Sequence, residues 1–347
     1  HDTLPKLNYE GSRELYDYIL HVGQKWVSAP YNVDGWRLDV AADLGHSNEF
    51  NHQFWKDFRK AVKEANPNAI ILAEHYGNPE GWLKGDEWDT VMNYDAFMEP
   101  LTWFLTGMEK HSDEYREDLY GNSDAFIGAM KTHMRALHMS ALQIAMNELS
   151  NHDHSRFLTR TNHRVGRISY AGAEAASEGV NTAVMREAVA IQMTWPGAPT
   201  VYYGDEAGLC GFTDPDNRRS YPWGREDYQM IDFHKAMIRI HRKYEILKTG
   251  SLAFLWNDYQ GLAYARFSRE EQIIVIINNR QEDREVEIPL WQAGISRLGD
   301  VKLQRIMISD KENFTEQEEE FVASAGILRV LMPGTGVMVL WHKNQNC

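Results

Sequence analysis

A chain of 347 residues can build one large domain and a smaller one, and its 43% hydrophobic and 25% charged content excludes a disordered polypeptide. The formal net charge of −14 argues against nucleic-acid partners, because phosphate binding needs clustered Lys and Arg. Two cysteines, Cys210 and Cys347, can build neither a disulfide framework nor a metal cluster.

In chain order, Leu15 to Val27 predicts an amphipathic helix that stops before Ala29-Pro30, where a proline blocks continuation. Val33 to Val40 predicts a short buried strand, and Phe54 to Val62 a helix stopped at Asn66-Pro67. Ala69 to Ala73 is a compact apolar run of the kind parallel strands show. Thr90 to Asn93 predicts a strand, Met98–Leu105 and Phe126–Leu142 helices, and Ala145 to Leu149 another strand. A helix over Ala183–Met193, a strand over Thr200–Tyr203 and a helix over Ile231–His241 follow. Short apolar strands alternating with helices imply βα units and a parallel sheet, with chemistry at the C-terminal strand ends as in a (β/α)8 barrel.

From about Lys248 the pattern changes. Leu262–Phe267, Ile273–Asn278, Glu285–Ile288, Val301–Ile306, Gly326–Leu331 and Gly336–Trp341 are short, often alternating strands between turn residues. They predict an antiparallel β-sandwich. The expected organisation is an α/β part over residues 1–247 and a β-domain over 248–347. Most of the 16 Tyr and 11 Trp are expected in the core, although flat aromatic faces also suit sugar rings. The start, His-Asp-Thr-Leu-Pro, carries no basic and apolar leader, and no apolar run is long enough to span a bilayer.

Three acidic residues close apolar strands: Asp39 in Asp34-Gly35-Trp36-Arg37-Leu38-Asp39-Val40, Glu74 after Ile70-Ile71-Leu72-Ala73, and Asp153 in Ser150-Asn151-His152-Asp153. Any one of them reads as well as a helix N-cap or a surface ion pair. Three in equivalent positions point to chemistry, since a buried carboxylate needs a partner. Arg37 and Asp39 are two apart on one strand and face the same way, so Arg37 can hold Asp39 ionised and oriented. Paired carboxyls about 5–5.5 Å apart are what a retaining glycosidase requires.

These segments resemble the second, third and fourth conserved regions of the α-amylase superfamily (glycoside hydrolase family thirteen). Leu4-Pro5-Lys6-Leu7-Asn8 is similar to the extra motif of its neopullulanase, cyclomaltodextrinase and maltogenic amylase branch. Gly197-Ala-Pro-Thr-Val-Tyr-Tyr-Gly-Asp-Glu206 resembles the last barrel strand and its exit, and Asp214-Pro-Asp-Asn-Arg218-Arg-Ser-Tyr-Pro-Trp223 the loop that follows. The resemblance runs through nearly the whole chain in order. It implies the C-terminal part, about strands four to eight, of a (β/α)8 barrel followed by an antiparallel β-sandwich domain. It further implies Asp39 as nucleophile, Glu74 as general acid/base, Asp153 and His152 as ligands of the glycone sugar, and Arg37 as the group that orients Asp39. Tyr76 becomes an aromatic platform on the leaving-group side, with simple packing the equal alternative. Asp214 and Arg218 become outer glycone-subsite residues, though a surface ion pair would look the same.

The resemblance has gaps. The family's first conserved region, an Asp followed by Asn-His, is absent, and with it the first three barrel strands. A five-stranded remnant would leave an open edge, so the chain is expected to be a piece of a longer polypeptide, with its activity on its own left open. After Asp39 stands Val40-Ala41-Ala42-Asp43, where relatives carry polar pairs that touch the leaving-group sugar, and Gly45 to Asn51 reads as a long loop.

The implied activity is retaining hydrolysis of α-1,4 bonds, with some α-1,6 cleavage and transglycosylation, in maltodextrins, cyclodextrins or pullulan, a step in starch degradation. The alternatives are an α-1,6-specific oligosaccharidase, which the Pro-Lys-Leu-Asn motif disfavours, and a catalytically inactive carbohydrate-binding protein on the same fold. A metal-dependent hydrolase is poor, because His133 and His138 lack a matching cluster and His152-Asp153-His154 lacks a third ligand. No organic cofactor and no metal site is implied. Calcium occurs in the superfamily, but no ligand set for it is assignable here. The expected partner is an α-glucan oligosaccharide or polysaccharide, with neither nucleic acid nor a membrane span, and a homodimer is compatible with the resemblance.

Overall fold

The computed structural model describes residues 3–344, so Cys347 lies outside the described residues. The chain forms two compact units, residues 1–93 with 133–146 and residues 94–132 with 147–347.

The first unit carries three parallel strands in the order β1 (Gly35–Leu38), β2 (Ile70–Ala73), β3 (Thr90–Val91). Two long helices, Arg13–Val27 and Asn48–Ala65, precede β1 and β2, each opened by a serine cap on its third residue's amide. They pack through aromatic edges: Tyr16 meets Phe54 at 5.0 Å and donates its hydroxyl to Asp57 at 2.6 Å. Gly23 lets Phe58 lie against the first helix, since a Cβ there would stand 2.7 Å from the ring. The second helix starts at Asn48, so the segment read as a long loop over Gly45–Asn51 is partly its first turn.

In the second unit the chain first runs through a π-turn (Tyr94–Met98) into a helix over Glu99–Thr106. The helix expected over Phe126–Leu142 is two, Ser123–Met134 and Met139–Leu142. Ala136 and Leu137 fold back on the carbonyls of His133 and Met134, and His138 is extended, so the apolar period continues across a break. Strands β4 (Met146–Glu148) and β5 (Ala198–Thr200) pair beside the buried helix Thr182–Thr194, and Met92 bridges to Met146 in parallel. The strand expected over Thr200–Tyr203 therefore ends where it was thought to begin. Tyr202 and Tyr203 instead seat the buried Arg156, whose guanidinium lies 4.1 and 4.8 Å from their rings.

The C-terminal sheet has nine strands. Its path is β6 (Ser251–Asp258), β7 (Gly261–Phe267), β8 (Glu271–Asn278), β14 (Gly336–Lys343), β10 (Asp300–Ser309), β12 (Glu319–Ser324), β13 (Ile327–Met332), β9 (Arg284–Pro289), with β11 (Phe314–Thr315) on β10. All its pairings are antiparallel. The two ends of the path meet: Arg284 of β9 lies over Trp256 of β6 at 4.4 Å, so the sheet rolls up around Ile274, Ile276, Ile288, Leu328 and Leu340. Strands β6 and β12 escape the sequence pattern. A bulge breaks the alternation of β6 between Phe254 and Trp256, and β12 turns most of its acid-rich residues to solvent. The sheet is tied to the helices before it by the buried Arg266, which donates to the carbonyls of Thr194, Leu247 and Gly250. No helix among the described residues is long and apolar enough to cross a membrane.

Candidate active site

Arg37, Asp39 and Glu74 meet in the first unit. In the parallel register Leu38 stands opposite Ala73, which places Asp39 and Glu74 side by side as the first residues past β1 and β2. The Glu74 amide donates to the Leu38 carbonyl at 2.8 Å, which extends the ladder by one bond. One guanidinium then serves both acids: Arg37 Nη1 pairs with Asp39, and Nη2 stands 3.1 Å from Glu74 Oε2. Their environments differ sharply. The Asp39 side chain is 80% exposed and that of Glu74 only 6%.

A buried carboxyl needs a donor as well as a counter-charge, and Glu74 receives it from the backbone: the Val40 amide donates to Oε2 at 3.0 Å. The turn that presents it is held by Trp55 Nε1 on the Ala41 carbonyl at 2.7 Å and by Asn51 Nδ2 on the Ala42 carbonyl at 2.8 Å. Behind Glu74, His75 packs against Trp88 at 5.6 Å, and Trp82 stacks on Trp88 at 4.5 Å and on His52 at 3.9 Å. His52 pairs with the buried Glu87 at 2.9 Å, whose carboxyl is raised above its usual range by burial, against the opposing pull of His52. Tyr76, two positions after Glu74, presents a half-exposed ring.

His152, Asp153, Asp214 and Arg218 meet in the second unit. Strand β4 ends at Glu148, so Asp153 does not close the strand as expected but stands on the loop beyond it. That loop is built by side chains. Asn151 Oδ1 accepts the amides of Asp153 and His154 at 2.9 and 3.0 Å, while its Nδ2 donates to Glu148 at 2.6 Å. Asn217 Nδ2 donates to the carbonyls of Asn151 and His154 at 2.8 and 2.7 Å. The Thr213 hydroxyl donates to the Asp153 carbonyl, and Arg218 Nε to that of His152 at 2.9 Å. Arg218 also bridges the acids, 2.8 Å from Asp214 and 3.6 Å from Asp153, and His152 Nε2 lies 3.4 Å from Asp153.

Beneath this loop His154 is fully buried, its ring edge-to-face with Tyr94 at 5.1 Å and with His111 at 4.7 Å. Burial above all pushes its pKa down to about 2, so the imidazole is neutral at ordinary pH. Buried Cys210 has its thiol pushed up to about 11 by the same cause and is no nucleophile at neutral pH.

The sequence reading missed Val40, Thr213 and Asn217. Thr213 directly precedes Asp214 and Asn217 lies within the 214–223 motif, so their neighbourhood was a signal. For Val40 nothing local was.

Residues 1–318 match the family model "Alpha amylase, catalytic domain". The chain is 35% identical to Neopullulanase 2 of Thermoactinomyces vulgaris over 297 residues, which is 84% of this chain and 44% of that protein. It is 34% identical to a Cyclomaltodextrinase of Thermoanaerobacter pseudethanolicus over 279 residues, 80% of this chain and 42% of that one. The chain thus spans less than half the length of these curated relatives. Among solved structures, a Debranching Enzyme of Nostoc punctiforme superposes with a TM-score of 0.73 at 25% identity, covering 95% of this chain and 62% of that one. A Cyclomaltodextrinase superposes with 0.74 at 27% identity, covering 97% and 50%. The fold is accordingly α/β, the C-terminal part of a (β/α)8 barrel followed by an antiparallel β-sandwich domain, and the chain belongs to the alpha-amylase catalytic-domain family, resembling its neopullulanase and cyclomaltodextrinase members.

Proposed function

We propose that this chain carries the catalytic carboxylates of a retaining glycoside hydrolase that cleaves α-1,4 bonds of maltodextrins, cyclodextrins or pullulan. The observation that carries the reading is the single Arg37 guanidinium shared by Asp39 and Glu74 on adjacent parallel strands. It aims the exposed Asp39 as a nucleophile must be aimed, and sets a second carboxyl beside it. In this reading Glu74 protonates the leaving oxygen while Asp39 bonds to the anomeric carbon, giving a covalent glycosyl-enzyme intermediate. Glu74 then takes a proton from the water that releases the sugar. Asp153 and His152 bind hydroxyls of the glycone sugar, and Arg218 with Asp214 holds Asp153 and extends that glycone contact. Tyr76 offers its half-exposed ring to the leaving-group sugar. The substrate class follows the names of the relatives, neopullulanase and cyclomaltodextrinase.

The test is chromatography of products after incubation with pullulan, together with proton NMR of the first anomer released. Panose or isopanose, released first as the α-anomer, is the expected result. Maltotriose would move the reading to α-1,6 specificity, the alternative that the similarity to a debranching enzyme and to amylopullulanases supports. Binding of maltosaccharide without any product, from this chain and from a longer chain that carries the preceding barrel strands alike, would establish the inactive carbohydrate-binding alternative.

A further inference from the structure

Val40 is a β-branched residue in a left-handed backbone conformation, φ 40° and ψ 47°, immediately after the proposed nucleophile. Such residues avoid this region because Cβ crowds the following carbonyl, and they persist there only when the surroundings enforce it. The side chain gives no reason for it, being 53% exposed. The backbone does. The turn aims the Val40 amide at Glu74 Oε2, at 3.0 Å, while the next amide, of Ala41, donates to the Glu74 carbonyl at 3.3 Å. Arg37 Nη2 reaches the same oxygen at 3.1 Å. The hydrogen bond and the ion pair of this buried carboxyl therefore both fall on Oε2, and Oε1 receives no protein hydrogen bond among the described residues.

We propose that Val40 is a positioning residue: its strained turn and Arg37 together pin Oε2 of Glu74, so that the exchangeable proton of the acid/base is carried on Oε1. A proton on Oε2 would face the Arg37 cation and compete with the Val40 amide for that oxygen, whereas a proton on Oε1 disturbs neither. The same oxygen then gives the proton to the departing glycosidic oxygen and recovers it from water. This rests on the proposed role of Glu74. The Val40–Glu74 link itself can be tested whether or not the chain turns over substrate.

With valine labelled by nitrogen-15, the Val40 amide resonance should move with pH and lose that movement in Glu74→Gln. The other charges nearby, Arg37, Asp39, Asp43 and His75, remain in that variant. A Val40 amide with the same pH course in both proteins overturns the link. A kinetic arm then separates positioning from mere support. Replacing Val40 by its α-hydroxy acid, which turns that amide into an ester and is checked for folding by the remaining valine amides, removes the donor and leaves the left-handed φ accessible. It should lower kcat/KM for a maltosaccharide by about a hundredfold and that for α-glucosyl fluoride, whose leaving group needs no proton, by only a few-fold. Equal losses on both substrates would show a merely structural role and overturn the proposal. A wild-type chain that cleaves neither substrate counts against the proposed function, and the amide titration still decides the link.

Discussion

Asp39 and Glu74 follow the last residues of two adjacent parallel strands and take their partners from the neighbouring backbone and from Arg37, two residues before Asp39. Asp153 stands on a loop whose shape is fixed by groups about sixty residues away in sequence: Thr213, Asn217 and Arg218 each bond a carbonyl of residues 151–154. In the first case the strand ends supply the geometry and the side chains only adjust it. In the second the side chains supply the geometry, and the backbone would have other conformations without them. The same residue type is thus held either by a ladder, which costs little to specify, or by a polar network that must be satisfied throughout.

Four experiments break or sharpen that contrast. The largest effect is expected at the strand ends. Glu74→Gln keeps the size and the Val40 donor but loses the proton, and should slow maltosaccharide hydrolysis by about 10²–10⁴-fold in steady-state kinetics. A wild-type rate would remove Glu74 from the mechanism. Next, Asn217→Ala leaves two buried carbonyls without their donor and should cost about 2–4 kcal/mol in urea unfolding. A cost below about 0.5 kcal/mol would mean that the loop keeps its form without the network.

The third concerns the buried His154 under that loop. Its folded pKa, about 2, lies below the ordinary 6.5, so the unfolded chain binds the extra proton as pH falls below 6.5. Stability from this group is complete above that value and is lost progressively toward acid, by at most about 1.4 kcal/mol per pH unit. Between about pH 7 and about pH 5.5 the wild type should lose ~1 kcal/mol more than His154→Phe. Parallel curves would show that the ring is not neutral in the folded state. The smallest effect is expected at a pair that belongs to neither carboxylate group: Arg164 and Glu178, 2.6 Å apart but each about half exposed. Arg164→Ala should change stability by less than about 0.5 kcal/mol, because solvent screens exposed pairs.

How much of this was legible beforehand differs between the two regions in the same way. Strands β1 and β2, the helices around them, and Asp39, Glu74 and Arg37 could be read from adjacent residues, because an apolar run with an acid at its end is a local pattern. The run Phe126–Leu142 misled, because its period continues through Arg135–His138 although the backbone does not. Tyr202 and Tyr203 misled because aromatic residues favour strands, whereas here they surround the Arg156 guanidinium.

By itself, then, the sequence determined the alternation of strand and helix, the change to antiparallel strands near residue 250, and that Asp39 and Glu74 stand at strand ends. Each is a matter of period and of neighbours a few residues apart. Only the tertiary structure decided which oxygen of Glu74 is gripped, why Val40 is left-handed, how the loop around Asp153 is clamped, that His154 is buried neutral, and that Arg284 meets Trp256 to roll up the sheet. Those features depend on groups brought together from distant parts of the chain, and no local pattern encodes a partner that the fold alone delivers.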